Sequence, residues 1–330
     1  MTTQNPPAEN SRSSPPNEAR SRLRSSIQTL FWFGGILTGV FSTAGFFASW
    51  WWPFELLCHF RMQYLCLLVL ACLILFALRK PIQGLVLLVF VCPNIWVIAP
   101  FYQPRSTPGQ SAFLARASTI NLLTINRKSD LVIRFVEEAK PDVIFFSEYG
   151  TFWQSALTPL KRDYPFFAET VRDDNFGFAI FSRHKVDWGQ EWHWGRACDV
   201  TIPQLGRSPI RIFGAHPVPP SRRRLIELRN SQIDELSEAI AKDMSHPVVV
   251  LGDLNSTSWS PAFSRLVERT GLVDTRRGLG VQPSWPSHQP LMYVPIDHIL
   301  VSREIEVGNR WIGPNVGSDH LPVVLEFGIR

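Results

Sequence analysis

Two polar residues, Asp253 and Asn255, follow a short apolar run at residues 248–251 (VVVL). Such a run between turn signals is typical of a strand buried on both faces, and its last residues surface where the strand stops. The two side chains are two positions apart, so they point to one side of an extended chain. A carboxylate supplies charge, and an amide donates to an oxyanion without adding a negative charge. The pair indicates a metal or phosphate site, with a turn that merely caps the strand as the alternative.

Other residues with acid, base or ligand chemistry also stand at the ends of predicted strands. They are Asn121, Glu148, His216, Asp297, Asp319 and His320. Carboxylates and amides are ligands for hard cations, and histidine is the side chain that exchanges protons near neutral pH. Because all of these residues fall at strand ends, we predict that they share one rim of a β-sheet structure.

The elements that must position this rim begin at about residue 118. Apolar runs predict strands at residues 118–125, 142–148, 176–182, 210–215, 248–255, 296–302 and 321–327. Helical spacing of apolar residues predicts helices at 131–139, 222–242 and 260–268. Asn121 interrupts the first strand, which is unusual for a core position. Many strands with few intervening helices predict a four-layer α/β sandwich, in which two packed β-sheets are flanked by helices.

The apolar residues of this 330-residue chain are strongly segregated. Residues 27–52, 62–78 and 81–100 are uncharged, and each approaches or exceeds the ~17 to 25 residues that cross a bilayer. They predict three transmembrane helices, although the second and shortest stretch would also suit a buried core helix. The predicted domains are a disordered tail at 1–26, a membrane anchor at 27–100, a linker at 101–117 and a soluble domain at 118–330.

Positive charges flank the apolar stretches unevenly. Arg20, Arg22 and Arg24 precede the first stretch, and Arg79 and Lys80 fill the turn between the second and third. Loops rich in Lys and Arg are retained in the cytoplasm. We therefore predict a multi-pass protein of the plasma or inner membrane, with a cytoplasmic N-terminus and an extracytoplasmic soluble domain.

Six motifs of the soluble domain occur in a characteristic order between residue 118 and the C-terminus. They are INLLTIN, PDVIFFSE, GAHPVPP, GDLN, IDHILVS and GSDHLPV. Together they resemble the endonuclease/exonuclease/phosphatase superfamily, which implies a DNase I-like fold and a metal-dependent hydrolase of phosphoester bonds. With its apolar N-terminal region, the chain resembles the membrane-anchored branch that includes teicoplanin-resistance membrane proteins.

The resemblance implies a metal site on three of the strand-end residues. Glu148 would be the main ligand of a Mg²⁺ ion, with Mn²⁺ as the alternative metal. Asn121 would assist it, and Asp319 would be a further ligand. A hard ion that keeps several waters needs only one or two carboxylates beside the substrate phosphate.

The resemblance also implies catalytic roles for the remaining residues of the rim. His320 would contact the scissile phosphate or act as base on the attacking water, and Asp297 would fix its tautomer. Asp253 would orient the nucleophilic water. Asn255 would bind a phosphoryl oxygen, and His216 would donate to the phosphate or to the leaving group.

A membrane anchor suggests a substrate that lies in or near the bilayer. The predicted function is hydrolysis of a lipid-linked phosphate or pyrophosphate, or of a phospholipid headgroup, at the outer face of the membrane. A membrane-tethered nuclease acting on DNA or RNA is the alternative, and a non-catalytic membrane scaffold is a further one. Every expected site position is filled, which disfavours the scaffold. The partners implied are the lipid bilayer and the phosphorylated substrate, and no protein partner is inferred.

Several conspicuous residues stay outside this interpretation. His298 lies next to Asp297 in a strand, so it points to the opposite face and is expected to pack rather than react. Trp188, Trp192 and Trp194 suit either an aromatic core or a patch that faces lipid or substrate. Residues 222–224 (RRR) suit a solvated helix start or a site for an anionic headgroup.

Overall fold

A computed structural model describes residues 16–104 and 115–330. Its helices are α1 (Pro16–Ala44), α2 (Trp52–Cys58), α3 (Arg61–Ala77), α4 (Pro81–Ile98), α5 (Ser129–Ala139), α6 (Thr151–Ala156), α7 (Arg223–Lys242) and α8 (Pro261–Thr270). Its strands are β1 (Ala115–Asn121), β2 (Val143–Ser147), β3 (Phe166–Thr170), β4 (Phe178–Ser182), β5 (Val186–Trp192), β6 (Gly195–Val200), β7 (Ile210–Ala215), β8 (Val248–Asp253), β9 (Val273–Asp274), β10 (Asp297–Val301), β11 (Ile305–Ile312) and β12 (Val323–Ile329).

Helices α1, α3 and α4 pack together as a bundle around a small apolar core, while large apolar side chains such as Phe33, Leu73 and Val89 remain exposed. Within the described residues, two helical segments are long and apolar enough to cross a membrane, Glu18–Phe47 and Pro81–Phe101. Helices α2 and α3 pass the same test only as a pair bent by 69°. The bundle has the outward apolar surface of a membrane anchor with two candidate spans, and the bent pair would be the third.

Helix α1 corrects the predicted boundary of the N-terminal tail. Residues 16–26 are helical, although their composition predicted disorder, and residues 1–15 lie outside the described part of the chain. The polar first turns of α1 continue directly into its apolar part, which is packed in the bundle. These turns only lengthen a helix that is already formed, so they need no new nucleation step. Glu18 and Arg22 add an ion pair one turn apart, with 3.7 Å between charged atoms.

The rest of the described chain is a sandwich of two six-stranded sheets. The first sheet has the order β11-β12-β1-β2-β4-β3, and the second has the order β5-β6-β7-β8-β10-β9. One buried apolar cluster lies between the sheets. A second cluster joins the first sheet to α5 and α6, and a third joins the second sheet to α7 and α8. The predicted four-layer sandwich, with helices outside two packed sheets, is confirmed.

Strand β1 differs from its prediction at both ends. It begins at Ala115, within the predicted linker, and it ends at Asn121 instead of residue 125. The backbone amide of Leu123 donates to Asn121 Oδ1 at 3.0 Å, so the asparagine side chain starts a turn. Asn121 therefore terminates the strand instead of interrupting it, and residues 105–114 of the predicted linker lie outside the described part of the chain.

Five strands had no counterpart in the sequence prediction: β3, β5, β6, β9 and β11. Four of them are the outer strands of the two sheets, and β6 is next to an outer strand. Edge strands carry polar and charged residues, which blunt their tendency to pair with other chains. The sequences of the outer strands therefore lack the continuous apolar run that predicts the central strands.

Candidate active site

Strand register in the first sheet brings three of the predicted residues to one edge. Strands β1 and β2 are parallel, with Asn121 opposite Ser147, so Glu148 follows directly beside Asn121. Strand β12 runs antiparallel to β1 with Val323 opposite Thr119. The turn that precedes β12, which carries Asp319 and His320, consequently lies at the same edge.

The second sheet brings its residues to the facing edge. Asp253 ends β8 and pairs with Asp297, the first residue of the antiparallel β10. His216 follows β7, which runs parallel to β8. The two sheets meet through Asn121, whose amide nitrogen is 3.1 Å from Glu148 Oε1 and 3.2 Å from Asp253 Oδ2. The predicted rim is thus one cluster at the end of the sandwich.

Two site residues hold backbone conformations that side chains rarely adopt. Glu148 has φ +56° and Asn255 has φ +47°, both in the left-handed region. Such strain persists where the surroundings fix it, and here local hydrogen bonds do so. The amide of Thr124 donates to Glu148 Oε2 at 3.0 Å, and the amide of Asn255 donates to Asp253 Oδ1 at 2.8 Å. A Cβ at Gly252 would lie 1.8 Å from the Ala215 carbonyl oxygen, so only glycine fits there.

Asp253 lies at the centre of the cluster and is almost completely buried. Its Oδ2 is 3.6 Å from Nε2 of both His216 and His320. Burial raises the pKa of Asp253 to about 7; His320 opposes this shift, and the Asp297 carboxylate adds to it. A carboxyl group with a pKa near neutrality is suited to exchange a proton with water.

His320 forms a buried ion pair with Asp297, with 2.9 Å between Nδ1 and Oδ2. Burial alone would lower the pKa of His320, but Asp297 and then Asp253 outweigh it and raise the pKa to about 10. The same pairing outweighs the effect of burial on Asp297 and lowers the pKa of that carboxyl group. The pairing with Asp297 favours the imidazolium form of His320, which donates hydrogen bonds and cannot take a proton.

The raised pKa of His320 predicts how stability depends on pH. His320 has a folded pKa of about 10 against 6.5 in the unfolded chain, so its contribution is complete below pH 6.5 and disappears as pH rises through 10. In EDTA, the Tm of the wild-type protein should fall across this window. The Tm of His320→Asn should fall less steeply, and equal slopes in thermal scans of both proteins would contradict the assignment.

His216 has different electrostatics from His320. Burial lowers its pKa to about 4, and the neighbouring charge of His320 acts in the same direction. Its ring lies 6.2 Å from that of Phe176, and its Nδ1 has no hydrogen-bond partner within the described chain. His216 is therefore neutral at pH 7, with Nε2 directed at Asp253 and with a buried Nδ1 that no described residue contacts by a hydrogen bond.

Three half-buried residues form the open side of the cluster: Glu148, Asn255 and Asp319. Asn255 Nδ2 donates to the Pro217 carbonyl at 2.9 Å, which leaves its second N–H for a ligand. Asp319 Oδ2 accepts from Trp285 Nε1 at 3.0 Å, whereas its buried Oδ1 has no partner among the described residues. Phosphate would approach from this side.

Carboxylate and amide oxygens at the rim fit a hard divalent cation. Glu148, Asn121 and Asp319 would hold it, because the buried Oδ1 of Asp319 has no hydrogen-bond partner among the described residues and Glu148 accepts from the neutral donors Asn121 and Thr124. Asn121 Oδ1 already accepts from an amide but keeps a second lone pair. Asp253, Asp297 and His320 also place one donor atom each within 4.8 Å of one another. Because His320 Nδ1 is already paired with Asp297, we favour the Glu148 side.

Some contacts of the site had no signal in the sequence pattern. Trp285, which donates to Asp319, lies in a long loop between predicted elements, and Thr124 lies within the strand predicted at residues 118–125. His298 packs as predicted, with its ring 4.6 Å from that of Phe263. Trp194 is buried under α7, where its Nε1 donates to Glu235 at 2.9 Å, which favours the aromatic-core interpretation for this residue.

The fold and the site agree with a known family of enzymes. The profile of the Endonuclease/Exonuclease/phosphatase family matches residues 118–320, and the chain belongs to this family. Its members are phosphoester hydrolases and generally depend on divalent metal ions. The family membership that the six motifs indicated is confirmed, while the membrane-anchored branch remains a prediction.

Solved structures resemble this chain over most of the sandwich. An endonuclease/exonuclease/phosphatase from Beutenbergia cavernae has a TM-score of 0.52 at 18% identity, covering 65% of this chain and 71% of its own. The 3′ phosphatase NExo from Neisseria, bound to a product DNA hairpin, has a TM-score of 0.54 at 20% identity. The similarity covers 65% of this chain and 99% of NExo. The human Nocturnin catalytic domain has a TM-score of 0.53 at 16% identity, covering 70% of this chain and 99% of its own. These similarities establish the shared DNase I-like fold.

A curated relative, the inositol phosphosphingolipids phospholipase C of Saccharomyces cerevisiae, is 27% identical over 106 residues. The match covers 30% of this chain and 22% of the yeast protein. The chain therefore spans less than a quarter of the length of that relative.

Proposed function

We propose that this protein is a membrane-anchored, Mg²⁺-dependent phosphoesterase that hydrolyses a phosphoester of a membrane lipid. The substrate would be a phospholipid or sphingolipid headgroup, or a lipid-linked phosphate or pyrophosphate. The observation that carries the proposal is a loop with two exposed apolar side chains, which contacts the site at one end and the anchor at the other.

That loop, residues 284–293, is tied to the site at one end and to the anchor at the other. The amide of Ser287 donates to the Asp319 carbonyl at 2.7 Å. Gln63 Nε2, at the start of α3, donates to the Tyr293 carbonyl at 2.8 Å. Between these contacts, Leu291 is 88% exposed and Met292 is 43% exposed. Apolar side chains held beside an anchor suit the surface of a bilayer, and they would bring lipid headgroups to the site.

The residues of the site have the properties that phosphoester hydrolysis needs. Asp253 would orient a water molecule and accept its proton, and His320 would donate to a phosphoryl oxygen. Asn255 and neutral His216 would supply further contacts to the phosphate. A bound Mg²⁺ would stabilise the negative charge of the phosphate, and Glu148, Asn121 and Asp319 would hold it.

The polarity of the anchor supports an outward-facing site. Arg24 donates to the Leu78 carbonyl at 2.8 Å, so the basic start of α1 lies beside the Arg79–Lys80 turn. Phe101, beyond the far end of α4, packs against Val281 of the sandwich. The cationic end of the bundle is thus opposite the catalytic domain, and cytoplasmic retention of the cations would place that domain outside.

The yeast relative gives independent support for a lipid substrate. By its name, that enzyme is a phospholipase C that acts on inositol phosphosphingolipids. The match is confined to a small part of that protein, so the support is for the class of substrate and not for the particular lipid.

Charging the loop tests the lipid proposal directly. Leu291→Glu combined with Met292→Glu should reduce hydrolysis of phospholipid in vesicles about tenfold or more, because two apolar side chains lose their contact with lipid. Hydrolysis of soluble bis(4-nitrophenyl) phosphate should be unchanged. Met244→Glu is the matched control, since Met244 is 44% exposed and lies before β8, away from the site. Equal losses on both substrates would argue against a lipid-facing loop.

A further inference from the structure

A buried ion pair links the anchor to the catalytic domain. Glu55 of α2 is 3% exposed, and Arg229 of α7 is 0% exposed. Arg229 pairs with the Glu55 carboxylate through one terminal nitrogen. Through the other it donates to the Asn255 carbonyl at 2.7 Å. One guanidinium therefore connects the anchor to a residue of the candidate active site.

A second polar contact reaches the same turn from the anchor. His59 Nδ1 lies 3.0 Å from Thr257 Oγ1, and both residues are buried. Thr257 is two residues beyond Asn255. On the side of the catalytic domain, His298 Nε2 contacts the Ser256 carbonyl at 2.7 Å. Contacts from Arg229, His298 and His59 thus hold the consecutive residues 255, 256 and 257. The anchor contributes to two of these contacts, through His59 directly and through Glu55 by way of Arg229.

The turn needs such support because its conformation is unfavourable. Asn255 has φ +47°, and its amide donates to the Asp253 carboxylate. Asparagine tolerates this region better than most side chains do, but the conformation still costs free energy that the surroundings must supply. Relaxation of the turn would move the amide away from Asp253 and the Asn255 side chain away from the phosphate position.

Attachment of the anchor to the catalytic domain does not by itself require buried charges at their interface. Ile98, Phe101 and Val281 already form an apolar contact between anchor and domain. A buried ion pair adds little net stability, because desolvation of both ions offsets their attraction. It does fix geometry, since an isolated buried Arg229 would be strongly unfavourable.

From these contacts we infer that residues 52–59 of the anchor are a positioning element for the turn at residues 253–257. Glu55 and His59 act through Arg229 and Thr257, so full activity requires the docked anchor. The inference rests on the proposed function for its kinetic consequence, but its structural consequence can be measured separately.

The test uses the full chain in lipid nanodiscs and compares wild type with Glu55→Gln. Hydrogen exchange of backbone amides in residues 252–260 should become about tenfold faster, since Arg229, which holds the Asn255 carbonyl, loses the charge of its partner. With bis(4-nitrophenyl) phosphate, kcat should fall about 10- to 100-fold while KM changes little, because catalytic groups are misplaced. Glu55→Asp, which keeps the charge, should restore part of the kcat and part of the protection from hydrogen exchange.

Asp234→Asn is the matched control. It breaks the ion pair of Asp234 with Arg265, 3.3 Å apart, which joins α7 to α8 without involving the anchor. Exchange in residues 252–260 should match wild type in this variant. Thr257→Val removes the hydroxyl contact with His59 and leaves the longer one from the Thr257 amide, at 3.4 Å. It does not alter α2, and it should accelerate exchange even if Glu55→Gln fails to fold. Wild-type exchange in folded Glu55→Gln or in Thr257→Val would overturn the inference, whatever substrate the protein hydrolyses.

Discussion

Glu148→Gln should reduce turnover about 10³-fold, because it removes the carboxylate that we assign as the main ligand of the metal. Glutamine keeps the size of the side chain, but its single carbonyl oxygen can accept from only one of the two donors, Asn121 Nδ2 or the Thr124 amide. The loss of turnover should come with weaker binding of Mg²⁺ and Mn²⁺, measured by titration calorimetry, and with only a small decrease of the Tm in EDTA, since one hydrogen bond is lost.

Glu138→Gln serves as the control for Glu148→Gln, since Glu138 is an exposed glutamate on α5. It should match wild type in both turnover and metal binding. Unchanged metal affinity in Glu148→Gln would contradict our assignment. The ion would then belong to the neighbouring group of Asp253, Asp297 and His320.

His320→Ala should reduce kcat about 10²- to 10³-fold, the effect of removing one preorganised donor to a developing oxyanion. It also leaves the buried Asp297 without its partner, so the free energy of unfolding should fall by about 3–5 kcal/mol. Both effects can be measured on one preparation, by steady-state kinetics and by denaturant unfolding.

A second His–Asp pair offers a matched control for His320→Ala. His184 Nε2 lies 2.7 Å from Asp142 Oδ1. Asp142 precedes β2 and His184 follows β4, so this pair is at the edge of the sandwich opposite the site. His184→Ala should lower stability without changing kcat. A comparable loss of kcat in both variants would mean that His320 acts through folding and not through the phosphate.

The rim could be predicted from the sequence because its residues follow central strands. Those strands are continuous apolar runs, and the side chains that end them are visible as polar interruptions. Asn121 shows the limit of this approach: its strand was predicted to continue to residue 125, because the following residues are also apolar. The turn became visible only through the hydrogen bond from Leu123 to the asparagine side chain.

The protonation of the site could not be predicted from residue types. His216 and His320 both face Asp253, yet burial keeps one neutral while Asp297 keeps the other charged. The contact of Glu55 with Arg229 joins positions 174 residues apart, and Glu55 appeared in the sequence only as a charge between two apolar stretches. Long-range pairing of this kind leaves no local pattern.

Our central claim is that the site hydrolyses a phosphoester of a membrane lipid with the help of a divalent metal. The most direct measurement incubates purified full-length protein in liposomes with Mg²⁺ and, in parallel, phospholipids, sphingolipids, a lipid pyrophosphate, and single- and double-stranded DNA. We predict release of phosphate or headgroup from a lipid, abolished by EDTA and lost in Glu148→Gln. Cleavage of DNA that depends on Glu148, without turnover of any lipid, would contradict the claim and identify a membrane-tethered nuclease.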